Sequence, residues 1–136
     1  PTVQVRNTQD KPRRFVFVLL NNFTLLCFAS ALESLRIANR MSGQAIYTWK
    51  ILGDGGDTIS SSAGTESKVD GDLDEISRDD TVLVCGGIDV QSATSKKVVN
   101  WLRREARRGA LIGGLCTSLL LMETGSRQRA EQPRLI

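Results

Sequence analysis

The run Gly114-Leu115-Cys116-Thr117-Ser118 joins a short apolar segment of β character to the leucine-rich helical stretch Ser118–Met122. A turn of this type can push its central side chain clear of a sheet as a nucleophile elbow, and the glycine before the cysteine permits close backbone approach. A thiol there would face unpaired N–H groups at a helix N-terminus, which favours the thiolate. The ordinary alternative is a buried cysteine in a glycine-rich turn. Cys85-Gly86-Gly87 could turn backbone N–H groups toward the same point, as half of an oxyanion or carboxylate hole. Its alternative is a tight strand-to-loop turn. Glu33 could bring a carboxylate to that place, but Arg36 stands three residues on, and an exposed ion pair is the favoured reading on spacing alone.

Other chemistries are excluded. The chain holds no histidine, so it contains no Ser-His-Asp or Cys-His dyad, no H-E-x-x-H zinc helix and no H-x-E deaminase site of its own. Cys27, Cys85 and Cys116 form no C-x-x-C pair, and an odd count argues against a disulfide framework. Reduced thiols of a cytosolic protein are the default reading. Asp70-x-Asp72-x-Asp74 opens like a calcium loop, yet Glu75 stands where the loop needs glycine and Thr81 where it needs glutamate. Gly53-Asp54-Gly55 has Thr58 at the third glycine position of a dinucleotide fingerprint, and no G-K-[ST] phosphate loop occurs. The expectation is no metal and no cofactor. A net charge of +3 is too small to imply nucleic acid, and Ala110–Met122 is too short to cross a bilayer.

The elements that would place these residues follow from hydropathy. At 136 residues, the chain has the length of one domain. Residues 1–13, with Arg6, Lys11 and Arg13, read as a loose leader, and 124–136 as an unstructured tail. Phe15–Leu20 reads as a strand buried on both faces. Leu25, Phe28, Ala29, Leu32, Leu35, Ala38 and Met41 recur at helical spacing, with Gly43 as the stop. Tyr47–Leu52 is a second strand. Residues 54–80 hold nine of the fifteen acids and read as surface loop with a short strand at 58–62. Thr81–Cys85 is a third core strand. Ser95 caps a basic helix through Arg108, with Val98, Val99, Leu102 and Ala106 inward, and Ala110–Gly113 is the last strand. Strands alternating with helices imply a parallel sheet covered on both faces, with ligands beyond the carboxyl ends of its strands. Asn21–Thr24, Gly86–Asp89 and Gly114–Ser118 meet that rule.

Taken in order, Phe15-Val-Phe-Val-Leu-Leu20, Phe23-Thr-Leu-Leu26, Ala31-Leu-Glu-Ser-Leu-Arg-Ile-Ala-Asn-Arg40, Leu83-Val-Cys-Gly-Gly-Ile-Asp-Val90, Trp101-Leu-Arg-Arg104 and Gly113-Gly-Leu-Cys-Thr117 resemble a DJ-1/PfpI-like (class I glutamine amidotransferase-like) domain. The version most similar is the one that forms the N-terminal half of AraC-type transcriptional regulators. The resemblance spans about 13–123. It implies an α/β, flavodoxin-like three-layer sandwich with a mainly parallel sheet, incomplete at its C-terminus, over 14–123. It also implies frequent dimerisation and a pocket around the elbow cysteine.

The departures from the pattern shape the functional expectation. In enzymes of the superfamily a carboxylate from the first helix region meets the cysteine; by position that residue is Cys27 here. Many enzymatic relatives carry histidine directly after the nucleophile, where this chain has Thr117, and Ser118 and Asn21-Asn22 replace glycine and Pro-Gly. Loss of a positioned acid or base costs about 10²–10⁴ in rate. The resemblance thus implies a non-catalytic, ligand-sensing and dimerising domain, cytoplasmic, with DNA contacted only through helix-turn-helix domains absent from this chain. Cys116, Thr117, Gly87, Ile88 and Glu33 would line the site of a small-molecule effector. Family domains continue through further strands and a helix, so a chain ending here is expected to expose apolar surface and self-associate, as a homodimer. The alternative is a cysteine-dependent hydrolase, hydratase or glyoxalase-like enzyme using Cys116 as nucleophile. A third possibility is redox sensing through oxidation of Cys116.

Overall fold

Alternation along the first strand sets the layering. The computed structural model describes residues 11–74, 76–87 and 93–115. In β1 (Arg13–Leu19), Phe17 and Leu19 join one buried cluster while Val16 and Val18 join another, as a strand's period of two requires. Helix α1 (Leu25–Ser42) covers the first cluster through Phe28. Helix α2 (Lys96–Arg107) covers the second through Val98, Trp101 and Leu102. Between them lies a parallel sheet in the order β2-β1-β5-β6, with β2 at Tyr47–Gly53, β5 at Thr81–Cys85 and β6 at Leu111–Leu115. Two short antiparallel strands, β3 (Thr58–Ser60) and β4 (Glu66–Lys68), form a separate ribbon. This is the three-layer, flavodoxin-like α/β arrangement that the alternating pattern implies.

Most element ends follow from named groups. α1 stops at Gly43, whose φ of 71° is the left-handed conformation glycine supplies at a helix end. Asn39 donates from its amide to the Tyr47 carbonyl and accepts from the Tyr47 N–H, both at 2.9 Å, and so ties the last turn of α1 to the start of β2. Met41, expected on the inner face, lies two residues beyond that tie and is 83% exposed, because the helix has overrun the sheet there. Ser95 caps α2 by accepting from the Val98 N–H at 3.2 Å.

Three expectations are corrected. β1 begins at Arg13, two residues before the apolar run. Arg14 donates twice to the buried carboxylate of Asp80, which also accepts from the Ser77 N–H, and so it belongs to the fold. β6 runs on to Leu115, not Gly113. The parallel ladder pairs Gly114 with Val84 and Leu115 with Cys85, and sheet pairing outweighs glycine's weak strand preference. The basic outer face of α2 is partly spent on its own acid: Arg104 and Arg108 hold Glu105, which is 1% exposed. Residues 1–10 and 116–136, with the readings made of them as leader, helical stretch and tail, lie outside the described residues.

Candidate functional site

Of the candidate residues within the described part, Gly87 lies beyond the carboxyl end of β5, beside the exit of β1. β1 leaves the sheet at Leu19 and the chain turns through Asn22, whose φ is 63°. Asparagine is among the few residues other than glycine that accept this conformation. The Asn22 N–H donates to the Ser60 carbonyl at 2.8 Å, and the Thr24 N–H donates to the Gly86 carbonyl at 2.9 Å. Phe23 forms a β-bridge with Gly87. A Cβ on Gly87 would lie 2.2 Å from the Asn22 carbonyl oxygen and 3.0 Å from the Thr24 nitrogen. Gly87 is thus glycine for reasons of space, and its contact seats the start of α1 against the exit of β5.

The three cysteines divide. Cys85 is 1% exposed on the α1 side of the sheet, and its thiol reaches the Leu83 carbonyl of its own strand at 3.8 Å. Burial pushes that thiol's pKa up to about 12, so it stays protonated near neutral pH. Cys27, half-buried in the first turn of α1, is disulfide-bonded. This corrects the reading of reduced thiols: an odd count forbids complete pairing, not a single pair. Cys116, Thr117 and Ile88 lie outside the described residues, and Leu115, described, ends β6 level with Cys85.

Glu33 lies elsewhere. It is exposed on α1, and its carboxylate accepts from the Arg36 guanidinium, as the spacing of three suggests. It stands nine residues beyond Thr24, about 13 Å along the helix axis, so the structure does not bring it to Gly87. The acidic segment is likewise structural. Asp70 accepts from the Ile51 N–H at 2.7 Å. The Leu73 N–H and the Lys97 ammonium hold the Asp72 carboxyl below the ordinary carboxylate range. Among the described residues no group of side chains could hold a metal ion, and no helix is long and apolar enough to cross a membrane. An open depression of about 640 Å³ lies at the opposite rim, at the amino ends of β1 and β5. Arg14 and Asp80, which line it, are already paired with each other.

Sequence reasoning overlooked Asn39, Asp70 and Asp80. Each is a polar residue serving backbone or an ion pair, and hydropathy carries no signal for that.

A parallel sheet in the order β2-β1-β5-β6 with a helix on each face defines an α/β protein of the flavodoxin-like class. The DJ-1/PfpI family model matches residues 13–131, and the chain belongs to that family. It is 39% identical over 106 residues to the HTH-type transcriptional regulator GbdR of Pseudomonas aeruginosa, covering 78% of this chain and 29% of that protein. The crystal structure of an AraC family transcriptional regulator from Pseudomonas putida is similar with a TM-score of 0.62 at 27% identity, over 76% of this chain and 55% of that one. A THiJ/PfpI family protein from Pseudomonas syringae shares the fold with a TM-score of 0.66 at 13% identity, over 92% of this chain and 53% of that one. The chain spans about a third of the length of the curated relatives it matches.

Proposed function

We propose that this chain is the ligand-sensing and dimerisation domain of an AraC-type transcriptional regulator, catalytically silent and cytoplasmic, whose DNA contacts belong to helix-turn-helix domains outside it. The observation that carries the reading is its similarity to regulators named for such domains, 36–39% identical over 78–86% of its length. The site is the rim where α1 meets β5 and β6, with Gly87, Ile88, Cys116 and Thr117 around a small-molecule effector. Glu33 would join only if its pair with Arg36 opened. Cys27 stands where superfamily enzymes place a carboxylate, which leaves a pocket without that acid.

Thermal melting of the purified, reduced chain against a panel of small carboxylic acids and amines tests the sensing half. An effector at a hundred times its Kd adds about 2.7 kcal/mol, and for a domain of this size that raises Tm by about 10 °C. Cys116→Ala should abolish the shift. No shift across the panel, or turnover of any panel member that vanishes in Cys116→Ser, overturns the reading.

Self-association has its own support. Leu26 is 74% exposed, Ile37 46% and Met41 83%, and their spacing sets them within about 60° of arc on the outer side of α1. Leu111 on β6 is 64% exposed. Sedimentation equilibrium is expected to give at least the dimer mass at micromolar concentration. A monomer at high concentration removes the dimerisation half while leaving the sensing half to be judged on melting.

A further inference from the structure

We propose that the depression at the amino-end rim is a second ligand site, one that takes the phosphate group of a small molecule between Arg13 and Arg14. Its volume of about 640 Å³ lies in the range of small-molecule sites. The length of β1, about 20 Å at the rise of a strand, separates it from the effector rim.

Arg14 is the fixed donor. Its Nε and Nη2 donate to the two carboxylate oxygens of Asp80 at 3.0 and 2.6 Å. Asp80 is 4% exposed; it accepts from the Ser77 N–H at 3.0 Å and gives its own N–H to the Ser77 carbonyl at 2.9 Å. A guanidinium carries five N–H donors. The ion pair occupies Nε and Nη2, and among the described residues Nη1 has no partner. A buried carboxylate thus holds in place a cation whose remaining edge lines the depression, so little freedom is left to lose on binding. A planar fork of this kind matches the oxygens of phosphate.

The opposite wall is anchored as well. Arg13 gives its N–H to the Ile46 carbonyl at 3.0 Å and stands in register with Tyr47. Alternation sends its side chain to one face of the sheet and that of Arg14 to the other. Both line the same depression, which therefore straddles the end of β1 and offers a guest one guanidinium from each side. Among the described residues the exposed Arg13 side chain makes no ion pair. Tyr47 is fastened through its backbone to Asn39, and its ring stands edge-on to Phe15 at 5.6 Å. The Ser77 hydroxyl accepts from the Asp79 N–H at 3.1 Å, which leaves its proton to donate. With Arg14 and Asp80 cancelling, Lys11 and Arg13 outweigh Asp79, which is exposed and screened by solvent. Two guanidinium groups on opposite sides suit a phosphate, with three terminal oxygens and up to two charges, better than a flat carboxylate.

The test titrates the whole chain with inorganic phosphate at neutral pH and constant ionic strength. Tyr47 is the only tyrosine of the chain, so with ring-labelled tyrosine its NMR signals report on this depression. Phosphate is expected to move them saturably, and acetate at the same ionic strength is not. Arg13→Gln changes an exposed side chain and keeps the backbone bond; it should weaken phosphate binding by about tenfold, the loss expected of a charge-assisted contact. Arg14→Lys keeps the charge beside Asp80 but not the fork, and should weaken binding to a similar degree. A phosphate shift that never saturates, an equal response to acetate, or unchanged affinity in Arg13→Gln would overturn the proposal. The effector reading concerns the other rim and is untouched by any of these results.

Discussion

Gly87→Ala is expected to cost the chain about 3 kcal/mol, at the upper end of what overpacking a close contact usually does. The methyl would sit 2.2 Å from the Asn22 carbonyl oxygen and 3.1 Å from the Phe23 carbonyl carbon. Those neighbours are backbone, so no side chain can rotate away. Relief requires moving the 22–24 segment, which would stretch the Thr24 to Gly86 hydrogen bond and shift the first turn of α1. Gly43→Ala is the comparison. Gly43 has a left-handed φ of 71° and nothing within 4 Å of its added Cβ, so its cost is conformational, about 1 kcal/mol. Urea denaturation of the two variants separates the causes. If Gly87→Ala loses no more than Gly43→Ala, the close approach at the rim is wrong, and with it the seating of α1 that the effector-site reading uses.

The layers were legible because they follow from hydropathy. The run from Phe15 to Leu20 is apolar at every position, and only a strand covered on both sides buries such a run; the structure divides it residue by residue between two clusters. The Ser95 cap and the Gly43 stop are local chemistry and were equally plain. β4 was missed because Glu66-Ser67-Lys68 has no apolar residue, and its strand exists only through pairing with Thr58–Ser60.

The site was less legible than the frame. Glu33 looked like a possible pocket acid from its place in a motif, yet the motif residue with a structural task is Asn39, which fastens helix to strand. Cys85 was read only through the backbone of its glycine-rich run, and strand alternation assigns its side chain to the packed face shared with Leu83 and Phe17. Local sequence reports which chemistry a residue can do; the sheet register decides whether it is free to do it.

Phe28→Ala is expected to destabilise the chain by about 3–5 kcal/mol, a large share of the about 5–15 kcal/mol that typically holds a domain folded. Phe28 is the one buried residue of α1, whereas α2 buries Val98, Trp101, Leu102 and Glu105. Its ring stands edge-on to Phe17 at 5.4 Å between centroids and to Phe23 at 5.7 Å, and each such pair adds about 0.5–1.5 kcal/mol beyond area burial. Phe28→Leu keeps much of the volume and should lose about 1.5 kcal/mol or less from packing. The aromatic share is then read from a double-mutant cycle with Phe17→Leu, expected to show about 0.5–1.5 kcal/mol of coupling. A loss under about 1 kcal/mol for Phe28→Ala would mean that α1 is held by something other than this ring. α1 carries Cys27 and the exposed row of Leu26, Ile37 and Met41, so its attachment is the mechanical link between rim and outer face. Phe28, with the half-buried Leu25, Ala31, Leu32 and Leu35 packed beside it, is what couples the rim to that outer face.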